Sequence, residues 1–152
     1  MSTFHIEFQF AKGDEATLAP WLEKFATATL VHQSIEREAV LTILISDDEQ
    51  LRELNANYRG EDKPTDVLSF EDGSHWPDGR LYLGDIAISL DTAEHQANSG
   101  GHAINDELAL LTVHGVLHLL GHDHLETDEK ERMWQAQGEI LGSFGVTVQP
   151  TE

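Results

Sequence analysis

Val40-Leu41-Thr42-Ile43-Leu44-Ile45 is the stretch on which the fold turns. Six residues are too few for a stable helix. With Val40, Thr42, Ile43 and Ile45 β-branched, the run suits a central strand buried on both faces. It ends at Ser46-Asp47-Asp48, residues that cap helices well. Leu51, Leu54 and Tyr58 then mark the inner face of a helix that stops before Gly60. Upstream, Phe4, Ile6, Phe8 and Phe10 alternate with His5, Glu7 and Gln9, the period of a strand with one buried face. From Asp14 to about Leu30, the apolar residues Leu18, Trp21, Leu22, Phe25 and Ala26 recur at helical spacing, with Pro20 in an early turn.

Downstream, Val67-Leu68-Ser69-Phe70 and Arg80 to Leu90 read as two strands of a hairpin. The loop Glu71 to Gly79 between them is rich in turn-formers. Asp91 is placed to cap a helix ending near Asn98-Ser99-Gly100-Gly101. Asn105 is placed to cap another, running through Leu108, Leu111 and Val113 to Gly121. Thr127 is placed to cap a last helix carrying Met133, Trp134, Ile140 and Leu141. No repeat, linker or low-complexity segment interrupts the pattern. The expectation is one α+β domain over residues 1–152, with about four strands covered by about five helices. Strand order cannot be read from these periodicities.

The chain has no cysteine, so any metal must be held by nitrogen and oxygen ligands, and its nine histidines are the first candidates. A basic leader is absent, as is any apolar run of the roughly 18 residues needed to cross a bilayer. The expected location is therefore cytoplasmic, without a membrane partner. Nine Lys and Arg against 28 Asp and Glu give a formal charge of -19, which disfavours nonspecific attraction to nucleic acid. Four of the basic residues, Arg52, Arg59, Lys63 and Arg80, nevertheless fall close together, so a locally positive field is conceivable there.

The chemistry concentrates in His114-Gly115-Val116-Leu117-His118-Leu119-Leu120-Gly121-His122-Asp123-His124. On a helix, His114 and His118 emerge one turn apart and can share one ion. Gly121 can adopt a left-handed conformation and turn the chain back, so that His124 supplies a third ligand. Three nitrogens leave a position open for water or a substrate oxygen, as in hydrolytic zinc sites. The competing interpretation, histidines that merely pack or face solvent, suits a lone pair but not this triple. It is the expectation for His5, His32, His75, His95 and His102. His122 could support the ligands, although a solvent-facing ring is the simpler expectation. The spacing resembles the HExxHxxGxxH signature of metzincin peptidases, but the glutamate that serves them as general base is here Gly115.

A second constellation, Leu54 to Phe70, joins a helix to a strand through a polar loop. Its Arg59 offers a planar donor fork for phosphate oxygens, although a surface ion pair is the plainer use of such a residue. Taken together, Asn57-Tyr58-Arg59-Gly60, Pro64 to Phe70, Leu83-Gly84-Asp85-Ile86 and the His114 to His124 string closely resemble the YbeY family of bacterial endoribonucleases, over roughly residues 40 to 125. The resemblance implies a mixed sheet with helices and a metal-dependent nuclease acting on single-stranded RNA. It also implies roles in maturing ribosomal RNA, notably the 3′ end of the small-subunit RNA, and in ribosome quality control.

Carried over by position, His114, His118 and His124 become ligands of one Zn2+. Arg59 becomes a catalytic residue beside the metal, together with His114. Asp66 and Asp85 either support the site and substrate or make strand-end hydrogen bonds. No general base is identified, with His122, Asp123 and Asp85 as candidates. The family usually has tyrosine where this chain has His122. Ribosomal RNA, basic ribosomal proteins and a ribosome-associated GTPase are the expected partners, with no DNA. The rivals are a zinc hydrolase of another substrate, such as a metzincin-like peptidase, and a ribosome assembly factor with a structural zinc.

Overall fold

The computed structural model describes residues 4–122 and 127–148. The elements follow in the order β1 (Phe4–Phe10), α1 (Glu15–His32), β2 (Ala39–Ser46), α2 (Asp48–Arg59), β3 (Val67–His75), β4 (Leu81–Ser89), α3 (Leu90–Gly100), α4 (Ile104–Leu119) and α5 (Thr127–Gly142). The four strands form one mixed sheet in the order β1-β2-β4-β3. β2 lies parallel to both β1 and β4, and β3 runs antiparallel to β4 along an edge. The apolar run around Val40 is therefore interior to the sheet, and its burial on both faces follows.

Alternation of side chains sorts the core. Leu41, Ile43, Ile45, Ile86 and Ile88 face α1, α3 and α4, while Leu68 and Ala87 pack with Leu51 of α2 on the opposite face. α4 is the hub of the molecule. One side of it packs on the sheet through Leu108, Leu111 and Val116, and the other packs on α1 and α5 through Ala109, Leu110, Val113 and Leu117. A helix apolar on nearly every side is the form such a position demands. Trp21 of α1 ties into it by donating its indole N–H to the Asn105 carbonyl at 2.8 Å. Among the described residues no helix is long and apolar enough to cross a membrane.

Local details depart from expectation at four points, the briefest being that Thr127, expected to cap α5, is already its first residue. Ser89, not Asp91, caps α3, its hydroxyl accepting the Thr92 N–H at 3.1 Å. Asp91 lies inside the first turn and pairs with Lys12 across the sheet end. α4 starts after Ala103 with no side-chain cap, and Asn105 already lies within the helix. The β3–β4 hairpin is also longer than its turn-rich sequence suggests. β3 continues to His75, because an irregularity between Glu71 and Ser74 absorbs the glycine and lets pairing resume.

Candidate metal centre and RNA cleft

α4 carries the first two groups. Nearly all of its second half is buried, but His114 and His118 are only half-buried and open on a cleft of about 330 Å³. Their Nε2 atoms stand 3.0 Å apart. The His114 Nδ1 is 2.7 Å from Oε1 of Gln137, a buried residue of α5. An amide oxygen can only accept, so Nδ1 carries the proton and Nε2 keeps its lone pair, the tautomer a ligand needs. Two imidazole nitrogens on a tetrahedral zinc lie ~3.3 Å apart. The separation of the pair is close to that spacing, and the brace leaves His114 in the tautomer that could hold such an ion.

The helix end is built as the histidine string suggests. Gly121 has φ of 98°, and its N–H donates to the His118 carbonyl at 3.0 Å. The His122 N–H donates to the Leu117 carbonyl, also at 3.0 Å. These are the two bonds of a Schellman ending, which turns the chain back after a left-handed glycine. His124 and Asp123 lie outside the described residues. Among the described residues no set of three His, Asp or Glu side chains converges on a common point.

His122 is not directed to solvent as expected. Its Nε2 meets Oε1 of Gln33, the residue ending α1, at 2.7 Å. Burial, helped by Arg132 and His32, pushes its imidazole toward the neutral form.

Gly115 explains why the metzincin glutamate has no counterpart. A Cβ built there would stand 2.9 Å from Ile86 Cγ2 of β4, and the Gly115 carbonyl accepts the Ser69 hydroxyl at 3.0 Å. The position faces the sheet. A longer side chain there would collide with the core instead of reaching a metal-bound water, so the peptidase mechanism lacks a place for its base.

The opposite wall of the cleft comes from α2 and β3. Arg59 is the last residue of α2, and Gly60 follows it in the left-handed conformation at φ of 72°. Arg59 is exposed, lines the same cleft as His114 and His118, and makes no ion pair or hydrogen bond with the described residues. The positive patch expected around it is otherwise neutralised. Arg52 is held by Glu49 and Asp62, Arg80 by Asp78, and Lys63 by Glu61.

The two aspartates part company. Asp66 lines the cleft and accepts the Val67 N–H at 2.7 Å, so it is both a site neighbour and a strand-start cap. Asp85 points to the α2 side of the sheet, into a separate groove with Thr42, Trp76 and Tyr82. It accepts the Tyr82 hydroxyl there; burial and then that bond push the phenol up to about 12. Asp85 is not a base for the histidine cleft.

The cleft also contains groups that the sequence reading passed over. Lys130 and Trp134 reach it from α5, with the Lys130 ammonium 4.5 Å from the indole centroid. Glu107 reaches it from the first turn of α4. An i,i+4 Lys–Trp pair on a helix reads as surface decoration, and an acid in a first turn as a complement to the helix dipole. Neither pattern signals a site until the helices are packed.

The sequence model of a family described as Endoribonuclease YbeY matches residues 5–145. Among similar proteins, an Endoribonuclease YbeY of Oceanobacillus iheyensis is 40% identical over 151 residues, 94% of this chain and 96% of that relative. One from Roseiflexus castenholzii is 46% identical over 145 residues, 91% of this chain and 89% of its own length. A solution structure of a Thermotoga maritima protein matches 99% of both chains with a TM-score of 0.59 at 22% identity, a likeness of fold.

Proposed function

The chain belongs to the YbeY family of endoribonucleases, and from that premise we propose that it is a metal-dependent nuclease of single-stranded RNA. Its task in this reading is ribosomal RNA processing at the 3′ end of the small-subunit RNA, together with ribosome quality control. The observation that carries the reading is the meeting of Arg59 with His114 and His118 in one cleft.

Arg59 binds the scissile phosphoryl group, and its guanidinium stabilises the charge that gathers on the oxygens during cleavage. Its lack of an acidic partner among the described residues supports this role, since the fork is available. His114, His118 and His124 hold the ion, with Gln137 fixing the His114 ring. Zinc, when bound there, supplies a Lewis acid for a phosphoryl oxygen and an acidified water. Lys130 adds positive charge for the strand, and Trp134 offers a face on which a base can stack. Attack by water and attack by the neighbouring 2′-hydroxyl both suit this arrangement, and a 2′,3′-cyclic phosphate end would mark the second route.

The formal charge of -19 bears on partners. An enzyme repelled by bulk RNA gains selectivity by docking on basic ribosomal proteins or a ribosome-associated GTPase.

The test is cleavage of a defined single-stranded RNA by purified Arg59→Ala and His114→Ala. Each is expected to lose ~100-fold or more in rate while unfolding like the wild type. Equal cleavage by both variants and the wild type would assign the activity to a contaminant and overturn the reading.

A further inference from the structure

Glu107 is only 1% exposed, yet it forms part of the cleft wall. Its Oε1 lies 2.6 Å from Nε2 of His102. The chain makes room for this contact: a Cβ on Gly100 would stand 2.6 Å from the His102 ring, and Gly101 reverses the backbone at φ of 73°. His102 is therefore a brace and not the ordinary surface histidine that its sequence context suggests. Burial pushes the Glu107 carboxyl up, and the His102 bond draws it back. Its second oxygen has no hydrogen-bond partner among the described residues.

Glu107, Leu111, His114 and His118 follow one another at steps of four, three and four along a single face of α4. Seven residues of helix place Glu107 about 10 Å along the axis from His114. That is too far to act on a group held by the histidines, but a neighbouring nucleotide of an extended strand can bridge it. Asp66 lines the same cleft and adds a second carboxylate. Two acids repel phosphate, so the part of a strand that comes to rest against Glu107 must be neutral and must donate a hydrogen bond.

We propose that Glu107, braced by His102, accepts a hydrogen bond from a ribose hydroxyl or base N–H of a nucleotide beside the scissile phosphate, and so helps select the substrate. The inference rests on the cleft being an RNA-cleaving site. It adds a specificity-determining residue to a reading that otherwise contains only phosphate and metal contacts.

The experiment measures kcat and KM of metal-loaded wild type and Glu107→Met on one single-stranded RNA and on singly altered copies of it. One arm replaces each flanking ribose by 2′-deoxyribose, sparing the sugar that adjoins the scissile phosphate. The other replaces flanking guanine by hypoxanthine and adenine by purine, removing exocyclic amines. In the wild type, one alteration is expected to lower kcat/KM about tenfold or more. In Glu107→Met, which has no acceptor there, the same alteration should cost threefold or less, with metal content unchanged. A sensitive position in the first arm identifies the ribose as the donor, and one in the second arm identifies the base.

If Glu107→Met does not fold, His102→Leu serves in its place and should reduce the same discrimination. Equal responses of wild type and variant to every alteration would overturn the inference while leaving the nuclease reading intact. A wild type that cannot cleave the unaltered RNA would overturn both.

Discussion

Gln137 is the residue on which the orientation of His114 depends, and it comes from a different helix 23 positions away. Replacing it with methionine keeps the buried volume roughly constant but removes the acceptor. Zinc affinity measured by chelator competition should then fall ~10–100-fold. Unchanged affinity would show that packing alone holds the ring. The adjacency of His114 and His118 and the turn at Gly121 were legible, because i,i+4 spacing followed by a turn-permitting glycine is a local pattern. Their supports were not. Gln137 is an unremarked polar residue in an amphipathic stretch, and His102 follows two glycines that read only as a turn. His122 was misjudged for a related reason: its partner Gln33 ends α1, and no spacing within the histidine string points there.

At the level of elements, the contact between α4 and β4 sets how closely the histidine face approaches the sheet. Gly115 permits it, with Ile86 at 2.9 Å from a Cβ placed there, and Gly84 does the same further along, where a Cβ would meet Leu119 of α4 at 2.9 Å. Gly115→Ala should therefore destabilise the fold by ~1–3 kcal/mol in denaturant unfolding. A variant as stable as wild type would mean that the helix can lift off the sheet without loss. The elements themselves could be read because strand and helix periods are local. Alternation exposed β1, the β-branched run exposed β2, and Asp47 with Gly60 bounded α2. What failed were boundaries set by tertiary packing. Asn105 has a capping side chain, but it lies inside α4, where its backbone carbonyl accepts from Trp21. Glu71 to Ser74 looked like a loop until β4 was available to pair with it.

For the whole molecule, the strand order β1-β2-β4-β3 was beyond the sequence, since it is decided by which buried faces meet across long separations. That order makes β3 the edge next to α4 and brings Arg59 to the histidine cleft, while Asp85 goes to the other face. The overall negative charge predicts that the protein co-sediments with ribosomes at low salt and releases as salt rises, because screening weakens attraction to basic partners. Absence from the ribosomal fraction at every salt concentration would remove the docking proposal.

X-ray absorption at the zinc edge of the metal-loaded protein tests the centre most directly. Three imidazole nitrogens are expected, two of them from His114 and His118, with at least one exchangeable oxygen completing the shell. Four protein ligands, or a zinc signal unaffected by loss of either histidine, would contradict it.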